Sequence, residues 1–310
     1  MDGVFDLVMG VIDRSVMVLG PILLLGGWSL VLFVSFVFFR EPFFSMQTDG
    51  VAVMLIGNLF GLWLLFNIMF NWYMGFKTDP GRAPLVLSKP NHGEEEENAF
   101  CQKCDCVKPT KAHHCHVCKR CVLGFDHHCP WFNNCIGFFN YRYFISTLFY
   151  LLVGCLYVFL LAVGKLGVHN RRREAPQAFF VLVLSLSVSF AVGVLLAWHL
   201  YLVLSGQATI DFYQRRMERD DTSAARATLL RRKRKKMSVF YWMCLRQKPA
   251  LPRNDFDLGP ERNWERVFGT KSVIRSLLPS FRPPAGDGVH WQTCKSLISR
   301  PALSNDVNMV

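Results

Sequence analysis

Four stretches of the chain, 16–39, 51–76, 143–164 and 178–210, contain no Asp, Glu, Lys or Arg. Apolar residues fill every helical face of these stretches rather than one stripe, which is not the pattern of surface helices in a soluble bundle. Each stretch reaches the roughly 20 residues a helix needs to cross the hydrocarbon layer. The pattern predicts four transmembrane helices. Pro21 and the glycines near the start of the first are tolerated inside a membrane. The second carries Asn58, Asn67 and Asn71, of which the last two lie four apart on one helix face. That face is expected to look into the protein, as helix–helix glue or as the lining of a cavity, because an amide facing lipid lacks partners. His199 in the fourth stretch is expected to be hydrogen-bonded glue or an interfacial residue.

The polar intervals divide the rest. Residues 1–76 hold a short, partly helical head and helices one and two; 77–142 form a loop with a cysteine-rich domain at about 98–142; 143–210 hold helices three and four; 211–310 form a tail. Asp79-Pro80-Gly81 breaks the chain after the second helix, and Glu94 to Glu97 mark a linker. In the tail, Asn254, Phe256, Leu258, Asn263, Trp264, Val267 and Phe268 make an aromatic island at 254–269 that is expected to pack back on the membrane part. The fold class is therefore an all-α polytopic membrane protein, with four transmembrane helices and a small irregular cysteine-rich domain on the cytoplasmic side.

Charge sets the sidedness. Of 35 Lys and Arg, 20 fall in residues 204–310 beside 10 of the 23 Asp and Glu, so most of the net charge of +12 sits in the tail. Its densest run, Arg231 to Lys236, favours the cytoplasmic face and contact with anionic lipid. Four crossings then place both termini and the 77–142 loop on that face. The 165–177 loop, with Lys165 and Arg171 to Arg173 against Glu174, departs from this tendency. Asp2, Asp6 and Asp13 stand where a signal peptide would be positive, so none is expected. With 51% hydrophobic and 19% charged residues, a disordered or nucleic-acid-wrapping chain is excluded.

Eight of the eleven cysteines lie between residues 101 and 135. They read Cys101-x2-Cys104-x9-His114-x6-Cys121 and, fourteen residues on, Cys115-x2-Cys118-x9-His128-x6-Cys135. Interleaved histidines at this spacing argue for two Cys₃His zinc sites rather than disulfides, although spacing leaves other pairings of the eight ligands open. Metal binding would supply the folding free energy of a segment without helical or strand periodicity, and reduced thiols suit the cytoplasmic side. The repeat leaves Cys129 over, because position 132 is Phe132. Asp126 and His127 precede it, whereas the first copy has Ala112 in place of the aspartate. A spare imidazole beside a spare thiol can accept its proton, and a carboxylate can orient that imidazole. Trp131, Phe132, Phe138, Phe139, Tyr141, Tyr143 and Phe144 hold this thiol near the headgroup zone. The matching substrate is a long-chain acyl thioester.

The run Asp126-His127-His128-Cys129-Pro130-Trp131, followed by Asn133-Asn134-Cys135-Ile136-Gly137 and Asn140, resembles the Asp-His-His-Cys family of protein S-acyltransferases, or palmitoyltransferases. Lys108-Pro109, His113-His114-Cys115, Asp79-Pro80-Gly81 and the 254–269 island with Asn263 extend the likeness. The resemblance implies a ping-pong reaction. Cys129 takes a long-chain acyl group from acyl-CoA (palmitoyl-CoA) and passes it to membrane-proximal cysteines of protein substrates, with His127 as base and Asp126 orienting it. It implies one zinc on Cys101, Cys104, His114 and Cys121 and another on Cys115, Cys118, His128 and Cys135. It further implies an acyl cavity among the helices, a Golgi or endoplasmic reticulum membrane, membrane lipid but no nucleic acid as partner, and a cytoplasmic active site. Where the family commonly has Thr-Thr-x-Glu, this chain reads Ala208-Thr209-Ile210-Asp211. The alternative is a non-catalytic, membrane-anchored zinc scaffold that recruits partner proteins; it requires an inert Cys129.

Overall fold

The computed structural model describes residues 2–40, 51–84, 100–168, 175–218, 220 and 254–293. Glu94 to Glu97, Arg171 to Glu174, Arg231 to Lys236, Cys244 and Cys294 lie outside the described residues. The membrane part is built from α1 (Asp2–Arg40), α2 (Val51–Lys77), α3 (Tyr141–Val168) and α4 (Ala175–Leu204). Among the described residues these are the four helices long and apolar enough to cross a bilayer, over Gly10–Phe39, Val51–Lys77, Tyr141–Val163 and Phe179–Leu204. The chain is a multi-pass membrane protein. The expected head is no separate element, since α1 is helical from Asp2.

The helices run antiparallel in sequence order. Trp28 meets Phe76, whereas Phe38 and Phe39, later in α1, meet Gly61, earlier in α2. Tyr157 of α3 donates to the carbonyl of Gly57. Hydrophobic burial gives no net drive between helices in lipid, so small residues that admit close packing matter. A methyl on Gly27 would meet Trp72, and one on Gly154 would meet Ile68. Asn67 and Asn71 do face inward, and both are buried. They are not interhelical glue, however: their amides donate to the carbonyls of Trp63 and Asn67 one turn back in α2. The Asn67 side-chain oxygen is buried without a hydrogen-bond partner among the described residues.

The cysteine-rich segment forms three two-stranded antiparallel hairpins, β1–β2 (Phe100–Cys101, Cys106–Val107), β3–β4 (His113–Cys115, Arg120–Val122) and β5–β6 (His127–Cys129, Asn134–Ile136). Strands this short show no period in sequence. Their register nonetheless repeats every fourteen residues, pairing Cys101 with Cys106, Cys115 with Arg120 and Cys129 with Asn134. Asp105, Lys119 and Asn133 take the same positive-φ turn position, at 51°, 52° and 45°.

The third hairpin seals the end of α2. The last carbonyls of a helix lack intrahelical donors. The Asn134 amide lies 3.2, 3.0 and 2.9 Å from those of Gly75, Phe76 and Thr78. Asn140 donates to Gly75 and Cys135 and accepts from the Gly137 N–H at 2.9 Å. Phe132 fills the space over Gly75, where a methyl would come within 2.4 Å of its ring. The aromatic island packs on the end of α4, as expected. After α5 (209–218) comes α6 (Pro260–Phe268), whose buried Asn263 donates to the Leu204 carbonyl and accepts from the Leu258 N–H. Gly206 has φ 65°, and a methyl there would strike Phe256 and Asn263.

Asn140→Ala would take its side-chain partner from the Gly137 N–H and the Cys135 carbonyl in a buried setting, while Gly75 keeps Asn134, at a cost of about 2 kcal/mol. The expected result is a lower thermal midpoint for the detergent-solubilised chain, with the third hairpin becoming susceptible to limited proteolysis.

Candidate active site and metal centres

The hairpins bring the eight expected ligands together in two groups of four, with all donor atoms of each group within 4.8 Å of one another. In the first, Cys101, Cys104 and Cys121 sulfurs lie 3.5, 3.1 and 4.0 Å from Nδ1 of His114. In the second, Cys115, Cys118 and Cys135 lie 3.9, 3.3 and 3.6 Å from Nδ1 of His128. A tetrahedral zinc with ordinary bond lengths separates sulfur from nitrogen by about 3.6 Å, so the donor sets fit that ion. Each group joins the turn of one hairpin to the facing strands of the next: Cys101 and Cys104 to His114 and Cys121, then Cys115 and Cys118 to His128 and Cys135. The two groups are of the kind that holds structural zinc in this type of domain. Cys106, unassigned by the spacing, is buried next to Cys101 and Cys121 of the first group.

The third hairpin keeps the pattern and loses the metal. Cys129 stands where Cys101 and Cys115 stand in their hairpins, but Phe132 replaces the cysteine three residues on. Side chains alternate along a strand. In β5 His128 therefore points to its cross-strand partner Cys135 and the second metal group, while His127 and Cys129 share the other face. That face meets the membrane helices. Cys129 is 6% exposed, in one cluster with Leu24 of α1, Ile68 and Trp72 of α2, Phe132, and Phe144 and Leu148 of α3. Trp72 fixes the turn by donating to the Trp131 carbonyl at 2.9 Å.

Asp126, His127 and Cys129 form a chain of contacts. His127 Nδ1 is 2.7 Å from Asp126 Oδ2, which assigns the proton to that nitrogen and leaves Nε2 as the free base on the face it shares with Cys129. Burial lowers the affinity of His127 for a proton, but the bonds to Asp126 and Cys129 outweigh it and raise its pKa to about 9. Burial likewise pushes Asp126 up, yet His127 and the Thr209 N–H hold it below its ordinary value. Thr209, at the start of α5 (209–218), donates its N–H at 2.8 Å and its hydroxyl at 3.0 Å to this carboxylate. Asp211 accepts from the Ala208 N–H and pairs at 3.1 Å with buried Lys111. The threonine that is kept, Thr209, makes both bonds to Asp126, while the departing residues Ala208 and Asp211 bond each other and Lys111.

Sequence reasoning did not foresee three neighbours. His199 comes from α4 to within 4.0 Å of Asp126 while its Nδ1 bonds the Tyr141 hydroxyl at 2.9 Å. It packs on Phe144, which in turn packs on His127. A lone histidine at the end of an apolar span was the available signal, but not its target. Lys111 bonds the Gly206 carbonyl and lies over the Phe256 and Trp291 rings at 4.5 and 4.8 Å. Trp291 comes from a stretch without sequence pattern. Asp126, His127 and His199 also converge enough to suggest a metal group, but the Nδ1 atoms of the two histidines are engaged with Asp126 and Tyr141 respectively.

Comparison with known proteins gives one reading throughout. A family model described as DHHC palmitoyltransferase matches residues 94–216. Probable protein S-acyltransferase 16 of Arabidopsis thaliana is 30% identical over 289 residues, covering 85% of this chain and 91% of that protein. Palmitoyltransferase ZDHHC16A of Danio rerio is 29% identical over 302 residues, covering 79% and 71%. Probable protein S-acyltransferase 15 of Arabidopsis thaliana is 29% identical, covering 86% and 98%.

Elemental analysis of the purified chain is expected to find about two zinc ions per molecule, one for each four-ligand group. Cys135→Ala should reduce this to about one, and Cys129→Ala should leave both, since Cys129 faces away from either group.

Proposed function

The chain belongs to the DHHC palmitoyltransferase family, and from that premise we propose that it is a protein S-acyltransferase whose nucleophile is Cys129. The observation that carries this reading is the placement of Cys129 on the face of β5 opposite the metal ligands, on the same face as a histidine that is itself held by a buried carboxylate. Zinc bound to the two Cys₃His groups would supply folding free energy to the hairpins. The chemistry belongs to the residues on the other face.

In the first half-reaction His127 Nε2 takes the thiol proton of Cys129, and the sulfur attacks the acyl thioester carbonyl. The bond from the acyl carbon to the CoA sulfur breaks, and the leaving thiolate recovers the proton from His127. In the second, a cysteine of a protein substrate gives its proton to His127 and attacks the acyl-enzyme, and Cys129 leaves as the thiolate that His127 reprotonates. One thioester is exchanged for another at each step, so no nucleotide hydrolysis is needed. The raised basicity of His127 favours taking the proton, and Asp126 holds the ring in the tautomer that presents Nε2. Burial of Cys129 among α1, α2 and α3 supports a carbonyl at the end of the helix bundle and an acyl chain among the helices, away from water. A membrane-proximal cysteine is the matching acceptor. The hairpins and the 254–293 segment then face the cytoplasm, which suits reduced thiols and the basic tail, in a Golgi or endoplasmic reticulum membrane.

Incubation with palmitoyl-CoA is expected to give an acyl adduct on Cys129, seen by mass spectrometry, removed by hydroxylamine and missing from Cys129→Ser. No adduct on the native chain while both zinc ions are retained would leave the non-catalytic scaffold. Thr209→Val keeps the N–H bond to Asp126 and removes the hydroxyl bond, a loss of about 1.5 kcal/mol. Autoacylation is expected to slow by roughly tenfold, measured as the single-turnover rate.

A further inference from the structure

The segment after α6 runs back toward the membrane. Helix α7 (Val273–Leu277) and the irregular chain to Arg282 lie along α3. The Tyr143 hydroxyl donates to the Ser280 carbonyl at 3.2 Å, Tyr150 donates to that of Leu277, and Arg142 donates to that of Arg282. Tyr150 lies seven residues beyond Tyr143 in α3, about 10 Å along the helix axis. Phe281 sets its ring edge to face against Phe70 of α2 at 5.4 Å. Phe70 is likewise seven residues inside the end of α2, again about 10 Å. The segment therefore descends below the ends of both spans.

Its outward side is apolar. Ile274 is 77% exposed and Phe281 75%, with Val273 and Leu278 more than half exposed. This surface continues the outer face of α2, where Phe66 stacks on Phe70 and is itself exposed. Residues 270–284 contain Lys271, Arg275 and Arg282 and no acid. Irregular backbone is tolerated at membrane depth only where protein satisfies its polar groups, and three of its carbonyls take donors from α3. We propose that residues 271–282 form a strap embedded in the leaflet on the hairpin side, with Ile274, Leu278 and Phe281 among the acyl chains and Arg275 at anionic headgroups. Water would leave these side chains uncompensated. The depth set by Tyr143, Tyr150 and Phe70 favours lipid over a second protein. The strap ties the aromatic module over the site to the bilayer itself, and this holds whatever reaction Cys129 performs.

The test places an environment-sensitive fluorescent amino acid at Ile274, and separately at Phe281, in the full chain, reconstituted at one copy per lipid nanodisc. A doxyl-labelled lipid and aqueous iodide serve as quenchers. Phe66 is the lipid-facing control and Glu261 the water-facing one. The expected result is doxyl quenching comparable to that at Phe66, with iodide quenching several-fold weaker than at Glu261. Iodide quenching equal to that at Glu261 would overturn the proposal, because the segment would lie in water. Shielding from both quenchers would overturn it as well, because protein would cover the face.

Discussion

A strand of three residues, His127–Cys129, has to point its side chains two ways at once. Alternation along the strand makes this possible without further structure: His128 turns to Cys115, Cys118 and Cys135, and His127 and Cys129 turn to the helices. An isolated hairpin of this length has little stability of its own. Its orientation therefore depends on the contacts on the Cys115, Cys118 and Cys135 side, and His127 and Cys129 inherit their geometry from that group. The first metal group stands behind the second in the same way, since it ties the first hairpin to the second. Order passes along the chain from hairpin to hairpin and ends at a turn from which the metal has been removed and the thiol left free.

That turn needs a solid base, and the membrane helices provide one through their ends. The carbonyls at the end of α2 require donors, and Asn134 and Asn140 supply them from either side of the third hairpin. Phe132 occupies the remaining space between Gly75, Trp72 and Phe144. Polar satisfaction and apolar packing thus fix the same contact. A loosened contact would move Cys129 relative to the helices without touching any metal ligand.

On the far side of Asp126 the end of α4 closes the arrangement. Thr209 supplies two hydrogen bonds to the carboxylate, and its own position follows from Asp211, Lys111 and the module built on Asn263. Lys111 is a buried cation, and burial holds its pKa below the ordinary amine value despite Asp211. The Phe256 and Trp291 rings and the Gly206 carbonyl share the task of compensating it. Position 208 contributes only backbone, its N–H to Asp211 and its carbonyl to Phe212, so no bond here needs a threonine side chain. The shorter Asp211 still reaches Lys111.

Much of this was legible in the residues alone. Apolar length determined the four helices, because nothing but lipid accommodates uninterrupted apolar faces. Metal spacing determined the eight ligands, because each cysteine and histidine carries its chemistry wherever it is placed, and the unmatched Phe132 singled out Cys129 by subtraction. What the sequence could not decide was which groups meet across long separations. Asn67 and Asn71 announced an inward face but not that their partners are their own helix. His199 and Lys111 announced polarity without a target, and residues 270–293 announced nothing, because their backbone is held by tyrosines and an arginine more than a hundred residues earlier. Local spacing records chemistry within a few turns of chain. Contacts between distant segments arise only when helix ends, hairpin turns and tail are packed together, so the environment of Asp126 and the course of the strap belong to the tertiary structure.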